Sequence, residues 1–364
     1  MLLFSDLHLD AAFSWAGPAA GRARRRGIRE TLQRICALGP ETGADAICCG
    51  GDLFEQDRLS SDTAEFLRDC FESVHPLPVL LAPGNHDWYG AASPYHATDW
   101  SPNVTVFRST SLLPHTLGDG FTVWGGAHLA PAGTGDFLDG FEVDRGGVNV
   151  ALFHGSERGG LAWQGSDKFP HAPFSSEDVP RVGLDHALVG HYHRPSAAPS
   201  HTYPGNPDPL TFGEEGRRGP VLVSFGEAGA VQRDWFEVSS CSMTDVEVDI
   251  GGAVHSGQVR AALEAALSPL SGMVRATLRG ELGPGVPVVP SDLESVAPWL
   301  EALVVRADKV LPTYDVEQIA QERTVRGQFV RDVLEAPDLD SEQRRRVLRT
   351  GLRAFDGSDD LWVS

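Results

Sequence analysis

The chain is short of cysteine, of basic charge and of long apolar runs, and each shortage removes a class of explanation. Its five cysteines (Cys36, Cys48, Cys49, Cys70 and Cys241) are odd in number and lack zinc-finger spacing. Reduced, buried thiols are expected rather than a disulfide framework. Cys48 and Cys49 are adjacent in an apolar run, so as strand residues they should point to opposite faces. No stretch approaches the roughly 20 apolar residues of a membrane helix. Met1 runs directly into Leu2-Leu3-Phe4, without the basic and apolar regions of a secretory leader. These absences predict a cytoplasmic protein with no membrane association.

Lys and Arg number 30 against 50 Asp and Glu, a formal net charge of -20 with a sequence pI near 5.0. The part before Val238 is itself acidic, with 17 basic against 30 acidic residues. A broad basic footprint for nucleic acid is therefore missing. Any nucleic-acid substrate would need bound metal, a local basic patch or a partner to supply the attraction. Nucleotide-binding glycine fingerprints, internal repeats and low-complexity tracts are also missing. What remains, 41% hydrophobic and 22% charged residues over 364 positions, suits a globular enzyme of two domains.

Apolar periodicity divides the chain. Leu2-Leu3-Phe4-Ser5, Ala44 to Cys49 and Val79-Leu80-Leu81 read as strands. Helices over Arg22 to Leu38 and about Ser61 to Val74 separate them, a β-α-β-α-β rhythm of the α/β class. Short strands follow at Val104-Phe107, Phe121-Trp124, Val148-Phe153 and Ala187-Val189, with a hairpin turn at Gly226 to Ala230 leading into Val231-Val238. Residues 1–238 are assigned to one domain. Residues 239–312 read as a smaller α+β module and 313–364 as a helical region with an Arg-rich amphipathic tail.

The polar clusters sit where these strands end. They are Asp6-x-His8, Gly51-Asp52, Gly84-Asn85-His86-Asp87, His154-Gly155 and Gly190-His191-x-His193. In a doubly wound sheet such ends converge on one edge, so distant clusters can build one site. The donors are imidazole, carboxylate and one amide oxygen, with no thiolate, a set suited to manganese, iron or zinc in an open site. Two metals about 3.5–4 Å apart would need a bridging carboxylate and several terminal ligands.

In this order the clusters resemble those of the calcineurin-like metallophosphoesterase superfamily. Within it the chain is most similar to the SbcD/YhaO-type DNA repair exonucleases. Tyr203-Pro204-Gly205-Asn206-Pro207, Phe212-Gly213-Glu214 and Thr324 to Phe329 resemble that branch in particular. The resemblance implies a four-layer α/β/β/α sandwich with a C-terminal capping domain, and DNA phosphodiester hydrolysis with two divalent ions, most often Mn2+. It implies one metal held by Asp6, His8, Asp52 and His193, and another by Asp52, Asn85, His154 and His191. His86 would contact the scissile phosphate and protonate the leaving oxygen, with Asp87 holding its ring. Implied partners are DNA, a coiled-coil ATPase of the SbcC type and a second copy of the chain. The tail around Val347, Leu348 and Leu352 is either a docking helix for the ATPase or an ordinary terminal helix.

One departure is Glu55, where nuclease relatives often carry His. A carboxylate there would repel a phosphodiester unless paired or solvated, which keeps a small diester or pyrophosphate open as the alternative substrate. Other residues carry two readings. Arg24 and Arg25, in the Arg-rich helix start, either contact phosphate or line a solvated face. Trp88 either stacks on a base or packs locally. His128 either lines the pocket or is an ordinary loop histidine, and His75, His96, His115, His171, His186, His201 and His255 read as surface or structural.

Overall fold

In a computed structural model the described residues are 1–118, 120–144, 146–163, 169–226, 230–283 and 286–357. They form two compact units, Met1–Met243 and Thr244–Ser364. In the first, β1 (Leu2–Phe4), β2 (Ile47–Cys49), β3 (Val79–Leu81) and β4 (Val104–Val106) pair in parallel in that order. The first three are buried at every residue, as strands covered on both faces must be. The crossovers are α1 (Pro18–Glu41), which starts earlier than periodicity predicts because Pro18 suits a first helical turn, and α2 (Thr63–Glu72).

The chain then builds a second sheet instead of extending the first. It comprises β5 (Leu113–Gly118), β6 (Phe121–Gly125), β7 (Val148–His154), β8 (His186–Gly190), β9 (Ser196–Ala197) and β10 (His201–Tyr203). Their order is β5-β6-β7-β8-β10-β9, parallel from β6 to β10 with an antiparallel strand at each edge. β11 (Val221–Phe225) returns to the first sheet antiparallel to β1, and β12 (Val231–Trp235) pairs antiparallel with β11, giving β12-β11-β1-β2-β3-β4. Of the turn expected between them, residues 227–229 lie outside the described residues.

Alternation along each strand sorts side chains between layers. Leu3, Cys48 and Leu80 share a core with Val123, Val150, Leu152 and Leu188, so the two sheets pack face to face. Their neighbours Leu2, Phe4, Ile47, Cys49, Val79 and Leu81 point the other way, onto Ile28, Leu32 and Ile35 of α1 and Leu67 and Phe71 of α2. Cys48 and Cys49 thus occupy opposite faces, and none of the five cysteines is joined in a disulfide. Beyond the second sheet, Phe153, Ala187 and Val189 are covered by Phe137, Leu138, Phe174 and Val179. These come from irregular chain and the four-residue helix Asp178–Arg181, not from long helices.

The second unit has a three-stranded sheet, β13 (Met243–Asp249), β14 (Met273–Leu282) and β15 (Ala302–Pro312), with β14 and β15 parallel. The helix Ser256–Leu267 buries Val259, Leu263 and Leu267 in a core with Val274, Ala276 and Leu278 of β14. Helices Val316–Ala320, Val325–Glu335 and Ser341–Phe355 share a separate core, in which Leu348 and Leu352 of the tail meet Ile319 and Val330. Among the described residues no helix is long and apolar enough to cross a membrane.

Candidate metal centre

Two sheets, not one, supply the site. Asp6, Asp52 and Asn85 follow β1, β2 and β3, whereas His154 ends β7 and His191 follows β8. The connections after β1 and β2 are tied by backbone bonds: Asp6 N donates to the Gly51 carbonyl at 2.9 Å, His8 N to Asp52 at 3.0 Å and Leu9 N to Leu53 at 3.0 Å. Asp6, His8, Asp52 and His191 all adopt positive φ, at 55°, 50°, 52° and 115°. Such backbone costs about 1–3 kcal/mol per non-glycine residue and persists where the surroundings over-determine it. Glycine is needed at Gly84, where an added Cβ would overlap the Asp52 carboxylate and lie 2.7 Å from the Asp52 nitrogen.

Lone pairs converge in the space so enclosed. His154 Nδ1 faces the Gly50 carbonyl at 2.9 Å, so the proton of a neutral ring sits there and Nε2 points inward. That Nε2 is 3.1 Å from Asn85 Oδ1, 3.2 Å from His191 Nδ1 and 3.3 Å from Asp52 Oδ2. Asp6 accepts from the His191 backbone nitrogen at 3.1 Å and from the Ser5 hydroxyl. His8 Nε2 lies 3.7 Å from Asp52 Oδ2 and is buried without a hydrogen-bond partner. Among the described residues three donor groups have ligand atoms within 4.8 Å of one another: Asp6 with His8 and His193, His8 with Glu55 and His86, and Asp6 with Asp52 and His154. A buried imidazole without a partner, beside carboxylates and an amide oxygen, is a donor set that fits divalent cations.

The electrostatics agree. Burial works to raise the Asp52 carboxyl, but the imidazoles of His154, His8 and His86 outweigh it and hold the group well below the usual carboxylate range. Burial opposes charge on His154, yet Asp52 lifts that ring to about 9. A pocket that raises a fully buried imidazole favours positive charge. Burial keeps His191 well below its ordinary value, so this ring is neutral.

Several residues take positions other than those expected. Asp87 does not touch the His86 ring. Its Oδ1 accepts from the backbone nitrogens of Gly84 (2.6 Å) and Asp52 (3.1 Å), and its Oδ2 from Leu53 N (2.7 Å) and the Tyr95 hydroxyl (2.6 Å). Backbone donors left by the turns after β2 and β3, together with the Tyr95 hydroxyl, take up the whole carboxylate, which is fully buried. The carboxylate at the His86 ring belongs to Glu55, which also meets His8 and is held down at about 2, its burial outweighed by the two histidines. His86 itself is 45% exposed and is raised to about 9, chiefly by its bond to Glu55.

Arg24 is not at the site. It is buried against Asp208, the Pro209 carbonyl and Ser240, because α1 turns that side inward. Arg25 is half-buried, reaching the Ala11 carbonyl at 3.5 Å. Trp88 is half-buried, and its neighbour Tyr89 packs onto the cores on both faces of the first sheet. His128 is a loop histidine, as expected, but a buried one, with Nε2 2.8 Å from the His154 carbonyl. His171 stands with its ring centroid 5.4 Å from that of His191, although no strand-end motif marks it. Glu214 was legible only as part of a branch-like motif. It meets His193 Nδ1 at 2.7 Å and is held at about 2, burial being outweighed by that histidine. A carboxylate behind a ligand-type histidine orients the ring and raises its basicity.

The chain is 26% identical over 236 residues, 60% of this chain and 55% of its relative, to the uncharacterized metallophosphoesterase YhaO of Bacillus subtilis. It is 27% identical over 264 residues, 62% of this chain and 55% of its relative, to the DNA double-strand break repair protein Mre11 of Methanopyrus kandleri. The chain thus spans about half the length of the curated relatives it matches. Among solved structures, TT1561 of Thermus thermophilus aligns with 64% of this chain and 96% of its own, at 17% identity and a TM-score of 0.38. The profile of the calcineurin-like phosphoesterases matches residues 1–195, which carry every strand-end cluster described above, so the chain belongs to that family.

Proposed function

We propose that this phosphoesterase is a dinuclear-metal phosphodiesterase that hydrolyses DNA, as an exonuclease and also on single strands. The observation that carries the reading is the inward-facing set of lone pairs on Asp6, His8, Asp52, Asn85, His154, His191 and His193. Asp6, His8, Asp52 and His193 would hold one ion, and Asp52, Asn85, His154 and His191 the other. Bound divalent ions would polarise a phosphoryl oxygen and lower the pKa of a water nucleophile.

The chain's own residues do the rest. His86 is half exposed, so a substrate can reach it, and its raised pKa keeps the ring protonated near neutrality. It would hold a proton at Nε2 for the departing oxygen. Asp87 positions the two turns that carry Asp52 and Asn85 instead of acting on substrate. The choice of DNA rests on the double-strand break repair relative. A coiled-coil ATPase subunit and a second copy of the chain are proposed partners, and either would help an acidic protein hold DNA. The sandwich of two sheets, with a capping role for the second unit, completes this reading.

A small phosphodiester or pyrophosphate is the second reading, favoured by the net charge of -20. The deciding experiment is Mn2+-dependent cleavage of labelled single- and double-stranded DNA by wild type and His86→Ala, with bis-p-nitrophenyl phosphate alongside. DNA cleavage that falls at least about a hundredfold in the variant is expected from loss of a general acid. Diester hydrolysis without DNA cleavage, even with the ATPase added, would refute the nuclease and favour the small substrate.

A further inference from the structure

Glu55 is where a single carboxylate reaches two histidines of the site. Oε1 lies 2.7 Å from His8 Nδ1, and Oε2 lies 3.0 Å from His86 Nδ1. The two rings meet edge to face with centroids 4.9 Å apart. The backbone on either side is held as well. Glu55 N donates to the Leu9 carbonyl at 3.0 Å, and Gln56 N to the His86 carbonyl at 3.1 Å. With each oxygen against a ring nitrogen, this carboxylate is not a bare charge facing a phosphodiester.

A neutral imidazole carries one N–H, and a carboxylate against Nδ1 keeps the proton there and leaves the lone pair on Nε2. In His8 that Nε2 is the buried atom with no hydrogen-bond partner, turned toward Asp52. In His86 it is the open edge of a half-exposed ring. We propose that Glu55 is a positioning residue shared by His8 and His86, fixing Nδ1–H on both rings. It aims the His8 lone pair into the metal pocket and the His86 Nε2 toward substrate. Metal binding at His8 and placement of His86 are thereby coupled through one side chain. The part concerning His86 rests on the phosphodiesterase reading above; the part concerning His8 does not.

The test uses the full chain labelled with 15N-histidine and freed of metal. Long-range 1H–15N spectra should show His8 as the Nδ1–H tautomer and protons on Nδ1 of both rings protected from exchange. Glu55→Gln keeps the shape but can accept from only one ring, and Glu55→Ala from neither. Circular dichroism establishes that each variant is folded. Both should lose the protected proton on at least one ring and bind Mn2+ about 10- to 100-fold more weakly by calorimetry. On bis-p-nitrophenyl phosphate, kcat should fall about 10- to 100-fold with KM changed less than about threefold, and Glu55→Asp should recover part of the loss. Unchanged His8 and His86 signals in Glu55→Ala, with unchanged Mn2+ affinity, overturn the proposal. Loss of a whole Mn2+ equivalent from Glu55→Gln also overturns it, because Glu55 would then be a ligand together with His8 and His86. A wild type that cleaves no diester while the tautomer and affinity changes appear counts against the phosphodiesterase, and supports the role at His8.

Discussion

Replacing Asp87 with Asn separates a carboxylate that holds two turns together from one that tunes the catalytic ring. Four donors surround the Asp87 oxygens: the backbone nitrogens of Asp52, Leu53 and Gly84, and the Tyr95 hydroxyl, at 2.6–3.1 Å. An amide offers one oxygen to them and turns an NH2 toward the others. In the better orientation the oxygen keeps Asp52 N and Gly84 N, and the Tyr95 hydroxyl rotates to accept. Leu53 N is then left buried and unpaired, at a cost of about 1–3 kcal/mol, and the retained bonds lose their charge assistance. The total is roughly 3 kcal/mol, large for an isosteric change. For a unit the size of Met1–Met243 this lowers Tm by about 6–12 °C. Urea denaturation of the metal-free protein at pH 7.5 measures it directly. Mn2+ affinity should fall together with stability, because the same carboxylate joins the turns bearing Asp52 and Asn85. Stability within about 0.5 kcal/mol of wild type, with activity lost, would refute the reasoning and return Asp87 to the His86 ring.

Three further outcomes follow from the same structure. Arg24→Ala leaves Asp208 buried without its guanidinium partner and should cost about 3–5 kcal/mol in denaturant melts, while the salt dependence of DNA binding is unchanged. Mn2+ at a hundred times its Kd should stabilise the folded chain by about 2.7 kcal/mol, and EDTA should reverse the rise in Tm. His186 is lowered to about 3, by burial and then by Arg233, so between pH 6.5 and 3 the unfolded chain takes up a proton that the folded chain refuses. Its share of the stability should therefore fall with acidification from pH 6.5, by about 2 kcal/mol at pH 5, and His186→Gln should shrink the acid slope by that amount in urea melts at the two pH values.

Local rules carried much of the architecture. Leu2–Phe4, Ile47–Cys49 and Val79–Leu81 are apolar runs too short for helices, and the stripe Ile28, Leu32 and Ile35 marks one helix face. Periodicity missed β5 (Leu113–Gly118), an edge strand with exposed and half-buried residues and a proline, because it buries too little to leave an apolar pattern. The split into two sheets was equally silent in periodicity, since a strand's alternation does not name its neighbour.

For the site, the sequence by itself determined which donors are present and that each follows a strand, because turn chemistry and apolar runs are properties of neighbouring residues. Tertiary structure alone decided what each side chain faces. Asp87 and Glu55 are both acids near His86 in the chain or in space, yet one is consumed by backbone donors and the other spans two rings. Arg24 and Arg25 are adjacent, yet the helix turns one into a buried pair with Asp208. His128, His171 and Glu214 enter the surroundings of the ligand-type histidines from segments with no motif of their own or only a family-like one. The reason is physical: hydrogen bonding and burial depend on which surfaces the packed sheets bring within about 3 Å, and spacing along the chain does not encode that distance.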